Sequence, residues 1–301
     1  MADQHYVTIP VIATKWQISE RAVRDYCAKG RIEGAKCEGG IWYIPANATK
    51  PTRLNASQSP TRDLLSVLRF EDRKNISGGI YHRVQIDLTY NSNHIEGSRL
   101  SHDQTRYIFE TNTVGIEHKF AGVRADDVVE TSNHFRCIDY IIENAKRKPT
   151  ETMIRRLHFI LKNGTSDSRE DWFAVGAYKK LPNEVGGQST TAPENVSKEM
   201  KKLLKWYCSR KVLSLDDLLE FHYRFEAIHP FQDGNGRVGR LILFKECLRL
   251  GIVPFIIDDE LKMFYYRGLK EWQNQPGYLR DTCLAAQDKF KSLLAYFKIN
   301  F

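Results

Sequence analysis

Twelve consecutive residues, His229-Pro230-Phe231-Gln232-Asp233-Gly234-Asn235-Gly236-Arg237-Val238-Gly239-Arg240, carry a proton acceptor, a carboxylate, a Gly-Asn-Gly turn and two arginines. His229 titrates near neutrality and can take a proton from an incoming hydroxyl. Asp233 is a hard oxygen ligand suited to Mg²⁺ beside phosphates. An apolar run follows at Leu241, Ile242, Leu243, Phe244, Cys247, Leu248 and Leu250, which predicts a loop feeding a buried helix. The first N–H groups of such a helix lack partners and bind anions well. The glycines let backbone approach the anion. Arg237 and Arg240 are three apart, so one helix face presents both to a polyphosphate. These residues together read as a nucleotide polyphosphate site with a base beside it.

The segment resembles the Fic motif, H-x-F-x-[D/E]-G-N-G-R-x-x-R, at every fixed position. The resemblance implies transfer of AMP from ATP to a protein hydroxyl. It implies His229 as general base, Phe231 as a core anchor, and Asp233 holding Mg²⁺ (or Mn²⁺) against the α- and β-phosphates. Gly234, Asn235 and Gly236 would form an anion hole, and Arg237 and Arg240 would bind the outer phosphates. Relatives that transfer phosphate replace the Gly-Asn-Gly-Arg run, which is intact here.

Three further stretches fit the same family. Ser92-Asn93-His94-Ile95-Glu96-Gly97 matches its inhibitory motif, [S/T]-x-x-x-E-[G/N]. Ser92 and Glu96 are four apart and are expected on one helix face, with Glu96 paired to Arg240. That pairing would keep ATP out of the pose for in-line transfer, and a Glu near the phosphates could orient water for AMP removal. Between Tyr178 and Pro193, two prolines, the pair Gly186-Gly187 and a β-branched run predict a hairpin or an extended flap. The resemblance makes Asn183, Glu184, Val185, Gly186 and Gly187 a flap that docks the target segment by strand pairing. A helix is expected to begin at Phe264, with Tyr265 and Tyr266 lining an adenine pocket.

These groups need a scaffold. From residue 63 to 301 the chain reads as mostly helical, an all-α Fic-like bundle interrupted by the flap. Residues 51–62 sit in a stretch rich in Ala, Asn, Thr, Pro and Ser, a linker composition. Residues 1–50 read as a separate module. Ser19 is a good N-cap for a helix reaching about Ala28, with Gly30 as its stop. A Gly39-Gly40 turn leads to the strand Ile41-Trp42-Tyr43-Ile44, closed by Pro45. The features S-x-x-A-V-R-x-Y and W-x-I-P resemble small winged helix-turn-helix domains of the MerR or excisionase kind. Such domains read DNA with the second helix, which would make Arg21 and Arg24 the DNA-facing side chains here; the alternative is a packing, dimerisation or partner-docking module.

Composition bounds the reading. Apolar residues make up 42%, enough for a core, and the net charge of +8 favours anionic partners such as ATP or nucleic acid. No apolar run reaches membrane-spanning length, and the polar start lacks a signal-peptide core. Six scattered cysteines form no C-x-x-C pair, which fits reduced thiols and a cytoplasmic setting. The expected protein is an adenylyltransferase using ATP and Mg²⁺ on a hydroxyl-bearing protein, with homo-oligomerisation left open. The rival is a DNA-binding regulator whose Fic-like part senses nucleotide.

Overall fold

A computed structural model describes residues 5–28, 31–38, 41–51, 63–114 and 122–301. The expected stops at Gly30 and Gly39-Gly40 and nearly all of the expected linker lie outside the described residues. The chain divides into two compact units, 1–60 and 61–301.

The first unit holds β1 (Tyr6–Thr8), α1 (Ile9–Trp16), α2 (Glu20–Ala28), β2 (Lys36–Glu38) and β3 (Ile41–Pro45). The strands form an antiparallel sheet ordered β1-β3-β2. At the start of α2 the Ser19 hydroxyl accepts from the Ala22 N–H at 3.3 Å. Ile12, Trp16, Val23, Cys27 and Ile44 are buried together, so this unit has its own small core. Arg24 is exposed, and the Arg21 side chain lies outside what is described.

The second unit is helical: α3 (Leu64–Arg73), α4 (Ile80–Ile95), α5 (His102–Thr111), α6 (Ala125–Glu143), α7 (Glu151–Lys162), α8 (Pro193–Ser209), α9 (Leu215–Ile228), α10 (Asn235–Leu250), α11 (Asp259–Lys270) and α12 (Gly277–Tyr296). Local signals set several starts. Thr150 caps α7 through the Met153 N–H, and Ser214 with Asp217 makes a reciprocal box on α9. α11 begins at Asp259 under an Asp258 cap, five residues before the expected start at Phe264. A cap followed by two acidic residues outweighs the aromatic run as a start signal.

Helix α10 sits at the centre. Every residue from Arg237 to Leu248 is buried, as expected for a helix apolar on nearly all sides. Leu241, Ile242, Phe244 and Cys247 lie within 1% exposure in a core shared with α4, α6, α7, α9 and α12. Each large apolar side chain so buried contributes about 1.5–3 kcal/mol. The N-terminus of α10 is therefore held rigidly. Among the described residues no helix is long and apolar enough to cross a membrane.

Between α7 and α8, β4 (Glu184–Val185) and β5 (Gln188–Ser189) form the expected hairpin. Gly186 and Gly187 have φ of 57° and 76°, so both turn residues need the left-handed region.

Candidate active site

Helix α9 ends at His229, whose φ of 49° and ψ of 64° are left-handed, while its N–H still closes the helix on the Phe225 carbonyl. This backbone is unusual for a residue before proline. Packing holds it there: Phe231 is fully buried and stacks on His158, ring centroids 4.0 Å apart and planes within 4°. The loop closes through Asn235, whose Oδ1 accepts from the Phe231 N–H and whose Nδ2 donates to the Phe231 carbonyl, each at 2.8 Å. The Asn235 side chain thus clamps the loop, and only its backbone remains for the expected anion hole. Gly234 (φ 78°) then caps α10.

Burial holds the His229 imidazole down to about 4; the Glu226 carbonyl and the charges of Glu96 and Asp233 push upward, and Lys179 pushes down. The ring is neutral at pH 7. Its Nδ1 lies 3.3 Å from the Glu226 carbonyl, which can only accept. The proton belongs on Nδ1, leaving Nε2 with its lone pair. The Glu226 carboxyl stands 3.8 Å from the same Nδ1 and 3.9 Å from His222 Nδ1. Burial raises this carboxyl to about 8, against the Arg240 charge and with that of Glu96.

The two arginines are buried at the start of α10, Arg237 4% and Arg240 6% exposed. Arg237 binds the Glu130 carboxylate and, at 3.1 Å, Asp233; its Nε–H is buried and has no partner among the described residues. Asp233 also accepts from Lys162 at 2.6 Å, and Lys162 reaches Glu130 at 2.5 Å. Burial alone would raise the Asp233 carboxyl, but Arg237 and Lys162 hold it well below the usual carboxylate range. A polar cavity of about 270 Å³ opens here, lined by Asn93, Glu96, Glu130, Lys162, Asp233 and Arg237 among others.

Arg240 points to α4. Its Nε donates to Ser92 Oγ at 3.1 Å, and its terminal nitrogen donates to the Ser92 carbonyl at 2.9 Å and to Glu96 Oε1 at 2.7 Å. Burial raises the Glu96 carboxyl, yet Arg240 first and Arg237 second bring it below its ordinary value. Glu96 is the C-cap of α4, one residue past the helix, rather than within it. Gly97 (φ 92°) and Ser98 close the end on the His94 and Asn93 carbonyls, a Schellman motif that needs glycine at this point. A carboxylate is unfavourable at a helix C-terminus. It is favourable at an N-terminus, and Glu96 Oε1 fills the space that a Cβ on Gly236 would need. The carboxylate therefore covers the start of α10.

The pair Tyr265-Tyr266 divides. Tyr265 is 1% exposed with its hydroxyl 2.6 Å from His222 Nε2, so its ring offers no face to a nucleotide and the expected pocket role is withdrawn. Tyr266 is 41% exposed, and its hydroxyl donates to the Ile95 carbonyl at 3.2 Å, beside Glu96. Asn183 reaches the site loop by donating to the Phe231 carbonyl at 3.0 Å, whereas Glu184, Val185, Gly186 and Gly187 are exposed. Lys162, Glu130, His158, Glu226 and Lys179 were not expected in the site. His158 lies on the buried face of α7 with Ile154, Leu157 and Leu161, a placement its spacing could have revealed.

The buried histidines predict acid lability. Burial lowers His134, His158 and His222 to about 3. An unfolded chain takes up these protons near 6.5, so stability is present above that pH and is lost as pH falls toward 3. Glu226 has the opposite sign: its stabilisation is present below its unfolded value and lost as pH rises through 8. It offsets about one histidine. The net loss is on the order of 2–4 kcal/mol per pH unit below 6. Thermal melts at pH 7 and 5 should differ by roughly 10 °C. Equal melting temperatures would show that these rings are not held neutral.

Residues 148–246 match the Fic/DOC family. The chain is 27% identical over 186 residues to "Protein adenylyltransferase fic-1" of Caenorhabditis elegans, covering 60% of this chain and 35% of the relative. It is 30% identical over 189 residues to "Protein adenylyltransferase Fic" of Drosophila erecta, covering 60% and 36%. The chain thus spans about a third of the length of the curated relatives it matches. A Fic domain containing signaling protein from Bacteroides thetaiotaomicron superposes with a TM-score of 0.57 at 26% identity, covering 77% of this chain and 90% of that one. Fic-1 from C. elegans gives 0.59 at 21% identity, covering 78% and 71%, a likeness of fold alone. With the helical fold and the loop before α10 both of this kind, residues 148–246 of the chain form a region of the Fic/DOC family.

Proposed function

We propose that this protein transfers AMP from ATP to Ser, Thr or Tyr hydroxyls of a target protein. One observation carries the reading: a neutral imidazole with a bare Nε2 stands on the loop that leads into a helix N-terminus armed with two buried arginines. The target hydroxyl gives its proton to His229 Nε2. Its oxygen attacks the α-phosphorus, the bond to the bridging oxygen breaks, and pyrophosphate leaves. The N–H groups of Asn235 and Gly236, with Arg237 and Arg240, bind the phosphates. The Nε–H of Arg237, without a partner among the described residues, is one donor available to an acceptor. Tyr266 is the aromatic ring left on the adenine side. The exposed edge of the hairpin presents the target strand.

Asp233 fits a Mg²⁺ ion carried by the nucleotide. It is ionised, its side chain is 47% exposed, and it borders the polar cavity. Among the described residues no three His, Cys, Asp or Glu side chains form a cage, so phosphate oxygens would complete the shell. Bound there, the ion would supply charge neutralisation for the polyphosphate.

Glu96 is the brake in this reading. Its grip on Arg240 and its place over Gly236 keep the outer phosphate from its seat. The deciding experiment incubates the Glu96→Gly protein with α-labelled ATP and a cell lysate, then identifies modified proteins by mass spectrometry. A lysate without any adenylylated product, where pyrophosphate release is also absent, would overturn the proposal.

We also propose that α2 of the first unit contacts DNA, with Arg24 exposed for it. Binding of the full chain to duplex DNA should weaken steeply between 50 and 200 mM salt, on the order of tenfold or more for a few phosphate contacts. Equal binding by a chain lacking residues 1–50 would exclude this module.

A further inference from the structure

Lys179 is 3% exposed, yet its three hydrogen-bond acceptors are all uncharged. Its Nζ donates to Asn183 Oδ1 at 2.6 Å, to Thr190 Oγ1 at 2.6 Å and to the Ile228 carbonyl at 3.4 Å. Among the described residues no carboxylate pairs with it, and burial lowers it to about 8. A buried ammonium without a counter-charge is costly, so its placement calls for a reason. Its partners supply one. Asn183 and Thr190 are the two legs of the hairpin, just outside β4 and β5, and Ile228 immediately precedes His229. An ammonium has three donors, and here each reaches a different segment.

The same junction is stitched three more times. The Lys179 N–H donates to the Pro230 carbonyl at 2.9 Å. The Leu181 N–H donates to Gln232 Oε1 at 3.2 Å, and Asn183 Nδ2 donates to the Phe231 carbonyl at 3.0 Å. The hairpin base is therefore bonded to residues on both sides of His229.

We propose that Lys179 is a positioning residue that locks the hairpin to the His229 loop, so that the surface receiving the target and the base move as one body. It rests on reading His229 as the base and the hairpin as the docking surface. A target strand seated on the hairpin would then find Nε2 already aligned. Without the ammonium, the hairpin legs lose their tie to Ile228 and keep only the bonds to residues 230–232, so the side of the loop that carries the contact of His229 Nδ1 with the Glu226 carbonyl loosens.

The test uses the full chain without nucleotide at pH 7.5, comparing wild type with Lys179→Met. Hydrogen exchange reads the hairpin, and ring ¹⁵N shifts of labelled histidine, assigned with His229→Gln, read the tautomer. In Lys179→Met, amides of residues 183–190 should exchange about tenfold faster or more, with α10 amides unchanged. The His229 signals should move from a single Nδ1–H form to an averaged one. Lys179→Arg keeps the charge but not the three-way geometry, and should show the same two changes in smaller measure. A faster hairpin with unchanged His229 signals would show that the two are independent, and no change in either would equally overturn the proposal. If Lys179→Met fails to fold, Asn183→Ala removes one leg of the hub and carries the same expectations. Neither readout involves transfer, so a chain that moved some other group would leave this result standing.

Discussion

His229→Ala is expected to lower AMP transfer by about 10²–10⁴-fold while ATP affinity changes little. The argument is one of separation. The groups proposed to bind phosphate sit on α10 and are held by its buried face, by Glu130 and by Ser92. His229 contacts none of these; its hydrogen bonds go back into α9. Removing the ring takes away the positioned proton acceptor for the target hydroxyl. Alanine tolerates left-handed backbone poorly, so His229→Asn is the companion variant, because asparagine visits that region more readily. Both should lose transfer. Pyrophosphate release and calorimetric titration of ATP measure the two quantities, and turnover near wild type in either variant would remove His229 from the base role.

The second large effect is a gain. Glu96→Gly should raise transfer by tens to about a thousandfold, the range that a few kcal/mol of one charge-assisted pair can shift. Arg240 keeps its bonds to the Ser92 hydroxyl and carbonyl, so the guanidinium stays near its place while losing its counter-charge. Leaving that charge unpaired costs stability, and the melting temperature should fall as activity rises. Arg240→Ala should show no gain, since it deletes the phosphate contact together with the brake. The double variant should also stay inactive. A transfer assay on all four proteins, with melts alongside, decides the matter; equal rates for wild type and Glu96→Gly would place regulation elsewhere.

Much of this arrangement is legible in sequence because its signals are local. The apolar run after Arg240 announces a buried helix, and the prolines and Gly186-Gly187 announce a hairpin or extended flap. The Ser92–Glu96 spacing, read with the motif, announces the contact with Arg240. What escapes depends on partners far apart along the chain. Lys162 looks like an ordinary basic residue in the last turn of a helix, because Glu130 and Asp233 stand 32 and 71 positions away. Lys179 looks like surface, since nothing in its neighbours says that Ile228 will arrive beside it. Tyr265 and Tyr266 differ for a simpler reason: adjacent residues are about 100° apart on a helix, so one enters the core when the other leaves it. An aromatic pair cannot say which. Glu96 shows a subtler limit. Spacing alone puts it on a helix face, but the glycine after it ends the helix one residue earlier.

The double anchorage of the hairpin at Asn183 and Thr190 also fixes natural graft boundaries. Residues 184–189 are exposed, and they are held by strand pairing across a two-glycine turn. On the proposed reading, a segment spliced between the two anchors would leave the His229 loop behind them in place, so this six-residue cassette is where target choice would be changed, by selection or by design.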